Sequence, residues 1–465
     1  MKKFKFQSGI GLGFIYLFCL NICLLLAGVV LHSMGFIIAA IILSVFQLFL
    51  HYQFRLKYSA ISTNRYAIDM KDGLSVFYSK ISGLHKNNVG HSFNRKQREI
   101  IIKRSGNMPT GIVRSTLTNP HSTEFECIRK DKMPIKIGSN DLRVDIGTEQ
   151  CTKPYSLSVL NVGALNQKML SNDTIHALSE GAKIQGCAVN TGECGISPYL
   201  IRGGGDLIWQ ISNDNTAFRN EDGSYNQTLF KRDATRPYIK MIEVILSRQD
   251  LSIIRDEFSA DKIIFFLKRL RDLSKGKPIG IKLYNPEEEL ISCIAKSMVN
   301  TGIYIDFITI DGIEPDKEAL YAKSNSPFMS QFFDSLAFTR KAIDRNGLPV
   351  KIIASGKIIT EYDILRAIAL GAHACYCTGP MLFAIGAGAS WFKKPDPVTQ
   401  RVGVANFHRN TVNATVKLME LCSYETLDDV KPSDFYRRSN FLKTRNLKEI
   451  YFEKNPVSRM ALLGH

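Results

Sequence analysis

From about residue 154 onward, short apolar runs alternate with longer segments whose apolar residues recur at helical spacing. The runs fall at 156–162, 184–189, 238–246, 251–254, 278–284, 304–310, 350–354 and 374–378. Amphipathic patterns at 260–273, 287–300, 328–346 and 360–370 lie between them. Short apolar runs read as buried strands and the longer periodic ones as helices. Eight strands alternating with helices predict an α/β fold, a TIM-type (β/α)8 barrel, with an open doubly wound sheet as the alternative. No G-x-G-x-x-G follows a strand, which counts against a dinucleotide site. One spacing is irregular: only Ser247, Arg248, Gln249 and Asp250 separate two of the runs. A parallel crossover takes about a dozen residues, so the expected barrel is depleted by one crossover.

The N-terminal part has a different pattern. No Lys, Arg, Asp or Glu occurs from Gly9 to Phe54, a run far longer than the roughly 20 apolar residues that span a bilayer. His32-Ser33-Met34-Gly35 offers a turn, and lysines or arginines flank both ends. A two-span membrane hairpin is expected at 9–54, with the bilayer as a partner and both termini and the barrel cytoplasmic. A signal peptide is the alternative, but its apolar stretch would be shorter, and no cleavage site precedes a polar mature chain. The organisation then reads 1–8 N-terminus, 9–54 hairpin, 55–150 basic cap with a helical patch at 94–103, 151–430 barrel and 431–465 tail. The net charge of +17 is concentrated early, with sixteen Lys or Arg against six Asp or Glu between Arg55 and Lys136. No nucleic-acid motif accompanies this excess, so nucleic acid is not an expected partner. Anionic headgroups would suit it, at about 1 kcal/mol per nearby basic residue.

Ten cysteines occur with no C-x-x-C, a pattern of reduced, buried thiols with no metal site. In a (β/α)8 barrel the chemistry lies at the C-terminal strand ends, and several are distinctive. "LNVGAL" carries Gly163, and "VNTGECG" carries Glu193 and Cys194 in a glycine-rich turn. "IGIKLYN" presents Lys282 from within an apolar strand, either paired with a buried carboxylate or pointing into the mouth. "ITIDG" ends with Asp311 and Gly312, and "IIASGKIIT" and "YCTGP" follow at the last two strands. A lysine and glycine leading into a helix at the seventh strand suit a phosphate-bearing cofactor.

Together these motifs resemble the FMN-binding barrel of glutamate synthase, in particular its membrane-anchored bacterial relatives, which would place the chain in a bacterial inner membrane. The resemblance runs over nearly the whole chain, through "CTKPYSLSVLNVGALN", "NTGECGISPYLIRGGGDLIWQI", "IKMIEVILS", "GKPIGIKL", "DFITIDG", "IIASGKI" and "NFHRNT". It implies reductive amination of 2-oxoglutarate to glutamate, with reduced flavin delivering hydride to 2-iminoglutarate. By the same resemblance, Gly163, Ala164, Thr191 and Gly192 border the flavin, and Gly312 joins the cofactor-binding set. Ser355, Gly356, Lys357, Thr378 and Gly379 hold its phosphate. Lys282 lends positive charge near the ring, and Glu193 orients substrate or nitrogen donor.

The departures are also specific. Cys194 stands where the family has glycine, and "DGIEPDKEAL" replaces a glycine-rich loop with Glu314, Asp316 and Glu318. "SWFKKPDPVTQ" replaces a cysteine-containing segment, so no iron–sulfur cluster is expected there. The glutamine-hydrolysing half of complete glutamate synthase has no counterpart at Met1-Lys2, so ammonia and electrons, the latter from ferredoxin or a reductase, would come from outside. The alternative function is a catalytically impaired barrel acting as a membrane-bound flavin-binding or scaffold protein.

Overall fold

The described residues begin with a helix whose start is written in three positions. In the computed structural model, which describes residues 93–113, 125–129, 133–138, 142–212, 220, 226–246, 257–312, 327–386, 397–440 and 443–453, α1 (Arg95–Ser105) opens with a capping box. The Asn94 side chain accepts from the Gln97 N–H, and the Gln97 side chain accepts from the Asn94 N–H, satisfying two otherwise orphaned donors. The short strand β1 (Phe125–Ile128) follows. Next, β2 (Arg143–Ile146) and β3 (Tyr155–Ser158) pair antiparallel.

Eight parallel strands then close into a barrel in chain order. They are β4 (Leu160–Val162), β5 (Ala188–Asn190), β6 (Asp206–Ile211), β7 (Ile239–Ile245), β8 (Ile279–Tyr284), β9 (Phe307–Asp311), β10 (Lys351–Ser355) and β11 (Ala374–Cys377). The ring closes where Cys375 lies opposite Leu160. Between them run α2 (Asn172–Gln185), α3 (Pro198–Gly203), α4 (Gln227–Ala234), α5 (Glu257–Leu273), α6 (Glu288–Thr301), α7 (Pro327–Arg345) and α8 (Glu361–Ala369). After β11 come the short α9 (Gly379–Gly386) and the long α10 (Pro397–Leu421), then β12 (Phe435–Asn440), β13 (Lys443–Asn446) and α11 (Leu447–Tyr451). β12 joins β1 and β13 in a separate antiparallel sheet.

This corrects the expectation of a barrel lacking one crossover. β7 pairs directly with β8 in parallel, with Ile242 opposite Ile279, and α5 supplies the crossover. The run at 251–254 lies outside the described residues and is not needed to close the ring. The strand that replaces it in the count is β6. Asp206 and Trp209 follow three consecutive glycines and belong to a fully paired barrel strand. The glycines belong to the end of α3, where Gly204 adopts φ +74° as its C-cap, a conformation that costs glycine little.

The expected membrane hairpin at 9–54 also lies outside the described residues, as does most of the basic cap. The expectation of a membrane protein is corrected on what is described: among those residues no helix is long and apolar enough to cross a membrane. The longest, α10, carries Arg401, His408, Arg409, Lys417 and Glu420 along its length.

The barrel interior follows the two-residue period of a strand and divides into two layers. Below, Ala188, Ile208, Met241, Phe307, Ile353 and Ala374 pack with Ile146 and Leu157 from the β2–β3 hairpin, which plugs the N-terminal end. Gly280 makes room in this layer, since a Cβ there would meet Phe307 backbone and ring atoms at 2.4–2.6 Å. Two residues further along β5 to β10 stand Asn190, Gln210, Glu243, Lys282, Thr309 and Ser355. All six are buried.

Candidate active site

Barrel interiors are usually filled by branched apolar side chains, so a polar upper layer needs an internal account of every donor and acceptor. Glu243 stands at its centre with no solvent exposure. Its Oε2 accepts from Asn190 Nδ2 (2.7 Å) and its Oε1 from Thr309 Oγ1 (2.6 Å). Asn190 is on β5 and Thr309 on β9, neither adjacent to β7, so both bonds cross the interior. With the Gln210 amide oriented to suit its neighbours, its nitrogen donates to Glu243 Oε2 (3.0 Å) and Asn190 Oδ1 (3.2 Å). Its oxygen then accepts from the Glu193 N–H (3.2 Å). The belt thereby reaches the glycine-rich loop.

Lys282 and Asp311 form the charged half of the site. Lys282 Nζ lies 2.7 Å from Asp311 Oδ2, and Ser355 Oγ donates to the same carboxylate at 2.9 Å. Both predicted options for Lys282 therefore hold together: it is at the mouth, and it is paired. Burial disfavours the Lys282 ammonium, but Asp311, Tyr284 and Glu243 outweigh it and raise its pKa above the ordinary value. Burial raises the Glu243 carboxyl, against the lowering influence of Lys282, Thr309 and Asn190. The Tyr284 ring lies 5.2 Å from the Lys282 ammonium, and its hydroxyl is raised by burial although Lys282 opposes this. The Lys282 ammonium thus faces the Asp311 carboxylate within the buried layer.

The loop at 191–195 is a tight reversal. Gly195 N–H donates to the Gly192 carbonyl (3.3 Å), and Gln167 Nε2 ties the carbonyls of Thr191 (2.6 Å) and Gly195 (2.7 Å). Gly192 at φ +67° is required, since a Cβ there would meet the Leu165 carbonyl oxygen at 1.9 Å. Cys194 is different: it is exposed and has no positive φ. The backbone there is not left-handed, so the glycine-to-cysteine departure carries no backbone penalty. Glu193 is exposed beside it.

The last strand ends come together on the far side of the mouth. Thr378 Oγ1 faces the Ala164 carbonyl (3.4 Å), and the Gly163 N–H donates to Cys377 (3.3 Å). A Cβ on Gly163 would meet Thr378 Oγ1 at 2.4 Å, so this glycine serves the β11–β4 seam. Gly312 backs onto the Phe332 ring, 3.1 Å from where its Cβ would lie. Gly356 and Lys357 lead from β10 towards α8, whose N-cap Thr360 forms a capping box with Asp363. Gly379 opens α9, the short extra helix after the last strand. A lysine, two glycine-bearing loops and a helix start are the donor set that an anionic group takes at this corner of a barrel.

The structure therefore brings Thr191, Gly192 and Glu193 into the hydrogen-bond network of Glu243, and sets Lys282 and Ser355, joined through Asp311, in the same buried layer. It gathers Gly163, Ala164, Gly356, Lys357, Thr378 and Gly379 at the β10–β11–β4 corner. Glu243, Asn190, Gln210, Thr309 and Gln167 were not anticipated. Glu243 alone left a signal, a lone acid inside the apolar run "IEVIL". Among the described residues no group of three or more His, Cys, Asp or Glu is placed to hold a metal ion. Glu314, Asp316 and Glu318, and the start of the 390–400 segment, lie outside the described residues.

Residues 254–392 match the conserved region in glutamate synthase. The matched stretch contains Lys282, Asp311, Ser355, Lys357 and Thr378. The chain is also similar to the glutamate synthase large subunit-like protein YerD of Bacillus subtilis (strain 168), with 28% identity over 330 residues. That similarity covers 63% of this chain, and the chain spans 62% of the relative's length. Among solved structures it resembles a mandelate oxidase variant with (S)-mandelic acid, at 14% identity and a TM-score of 0.45. The likeness covers 75% of this chain and 94% of that one. A flavocytochrome b2 mutant with benzoylformate is similar at 13% identity and a TM-score of 0.44, over 75% of this chain and 79% of that one. Likenesses at that level bear on neither cofactor nor substrate.

Proposed function

We propose that the chain is an FMN-dependent oxidoreductase of the glutamate synthase type that aminates 2-oxoglutarate reductively. Overall, 2-oxoglutarate, ammonia, two electrons and two protons give glutamate and water. The observation that carries this reading is the buried Glu243–Lys282–Asp311 belt at the C-terminal mouth, within and beside the stretch that matches glutamate synthase. A closed barrel has no structural need of such a layer, and burying it is costly unless every partner is present.

The residues present fit FMN. Gly356, Lys357, Thr378 and Gly379 would hold its phosphate, a dianion suited to a lysine and a helix start. Gly163, Ala164, Thr191 and Gly192 would border the ring. When bound, FMN supplies two-electron hydride chemistry. The chain's own part is positional: Lys282 holds a fixed charge at the mouth, Asp311 and Ser355 fix that lysine's direction, and Glu193 offers an exposed carboxylate to substrate or ammonia. Electrons would come from an external donor such as ferredoxin or a reductase, and ammonia from solution or a partner.

A second reading rests on one distance. Asp311 lies 2.7 Å from Lys282 and offsets the charge the lysine would lend the flavin, as suits a barrel that holds FMN without turnover. Visible absorbance of the purified full chain and the thermal shift on adding FMN test the shared premise. A colourless protein with no shift overturns both readings.

A further inference from the structure

Phe93, two residues before α1, lies against the loops that follow the last two barrel strands. Its ring centroid lies 5.6 Å from Lys357 Nζ. The same ring packs edge-to-face on Phe383 of α9, with centroids 6.1 Å apart. One aromatic side chain thus touches both segments that follow the last two barrel strands. It is buried, at 5% exposure.

The position of this ring is fixed from the barrel side. Asn94, the next residue, caps α1, and Arg104 near the other end of α1 reaches the loop that carries Lys357. Arg104 pairs with Glu361 and donates to the Ile359 carbonyl (3.3 Å) and to Thr411 (3.3 Å). Glu361 also accepts the Val113 N–H at 2.5 Å. On α10, Asn410 donates to the carbonyls of Arg104 (2.8 Å) and Gly106 (3.1 Å). Helix α1 is therefore clamped at the Lys357 loop.

Burial lowers the Lys357 ammonium, and Asp363 only partly offsets this. Asp363 is itself engaged by Ile359, Thr360 and Arg366. A shielded ammonium of this kind interacts more strongly with an anion than a solvated one does.

We propose that Phe93 is a positioning residue of the phosphate subsite, walling Lys357 from water and holding its ammonium between the β10 loop and α9. The proposal rests on the FMN reading above. It makes Phe93 part of the cofactor site, although this residue lies far from the barrel strands in sequence.

The test uses the full chain with Phe93→Ala and Phe93→Leu. FMN and riboflavin, which lacks the phosphate, are titrated by flavin fluorescence, and Lys357 acetylation is followed by peptide mass mapping. Loss of a partly desolvated cation–π wall is expected to weaken FMN on the order of tenfold in Phe93→Ala. Riboflavin affinity should be unchanged, and Lys357 should become several-fold more reactive. Phe93→Leu keeps packing against Phe383 and should lose less on both measures. Equal losses for FMN and riboflavin, or unaltered Lys357 acetylation, overturn the proposal. A chain that binds neither flavin overturns the FMN reading instead, and the acetylation measurement still decides whether Phe93 covers Lys357.

Discussion

Glu243 accepts hydrogen bonds from three other strands and has no contact with water. Replacing it by leucine strands the Asn190 and Thr309 donors in a dry interior, at about 1–3 kcal/mol for each unsatisfied group. Glu243→Leu is expected to lose about 3 kcal/mol of stability, and Glu243→Gln, which keeps one acceptor oxygen, about 1 kcal/mol. Urea denaturation of both variants checks this; equal losses would contradict the belt as drawn. His373 gives a second test at this scale. Burial, Lys351 and Arg340 push its imidazole down to about 3, and its Nδ1 accepts the Ile352 N–H at 3.0 Å, a role only an unprotonated nitrogen fills. The unfolded chain takes up that proton near pH 6.5, whereas the folded chain does not until about pH 3. The unfolded state therefore binds more protons in this window, and stability falls as pH drops from 6.5 towards 3. Between pH 7.5 and 5.5 the urea midpoint of the wild type should fall more than that of His373→Asn. Parallel falls would exclude His373 as the cause.

At the scale of elements, α1 and α8 are joined through a fully buried ion pair, Arg104 with Glu361. Removing one partner leaves a buried charge without its counterion, at about 3–5 kcal/mol, whereas replacing both by apolar groups is often nearly neutral. Arg104→Met and Glu361→Leu should each destabilise strongly, and the double variant should recover most of the loss. A double-mutant cycle in urea measures this; additive losses would show that the two side chains act separately. The strands also show what the sequence could display. Apolar runs marked seven of the eight barrel strands because burial on both faces leaves a continuous hydrophobic signal. β6 was hidden because Gly203–Gly205 and Asp206 look like a turn, and they do end α3, but the strand starts immediately afterwards. The short spacing after residue 246 suggested a missing crossover only because 251–254 was taken for a strand; α5 fills that role.

For the whole molecule, closure of the ring matters most, because it sets β4 beside β11, with Leu160 opposite Cys375, and so gathers all eight strand ends around one mouth. Lys282, Thr191, Gly192 and Ser355 were legible as strand-end chemistry. Glu243 with Asn190 and Thr309 was not, because hydrogen bonds across a lumen leave no spacing in the chain. Cys194 stands where the resembled family has glycine, and its backbone does not need one. The most direct test reduces FMN on the full chain without oxygen, then adds 2-oxoglutarate and ammonia. The account predicts that the flavin's visible absorbance returns and that glutamate forms in equal amount. Flavin that stays reduced with both substrates present, yet reoxidises with oxygen, would contradict it.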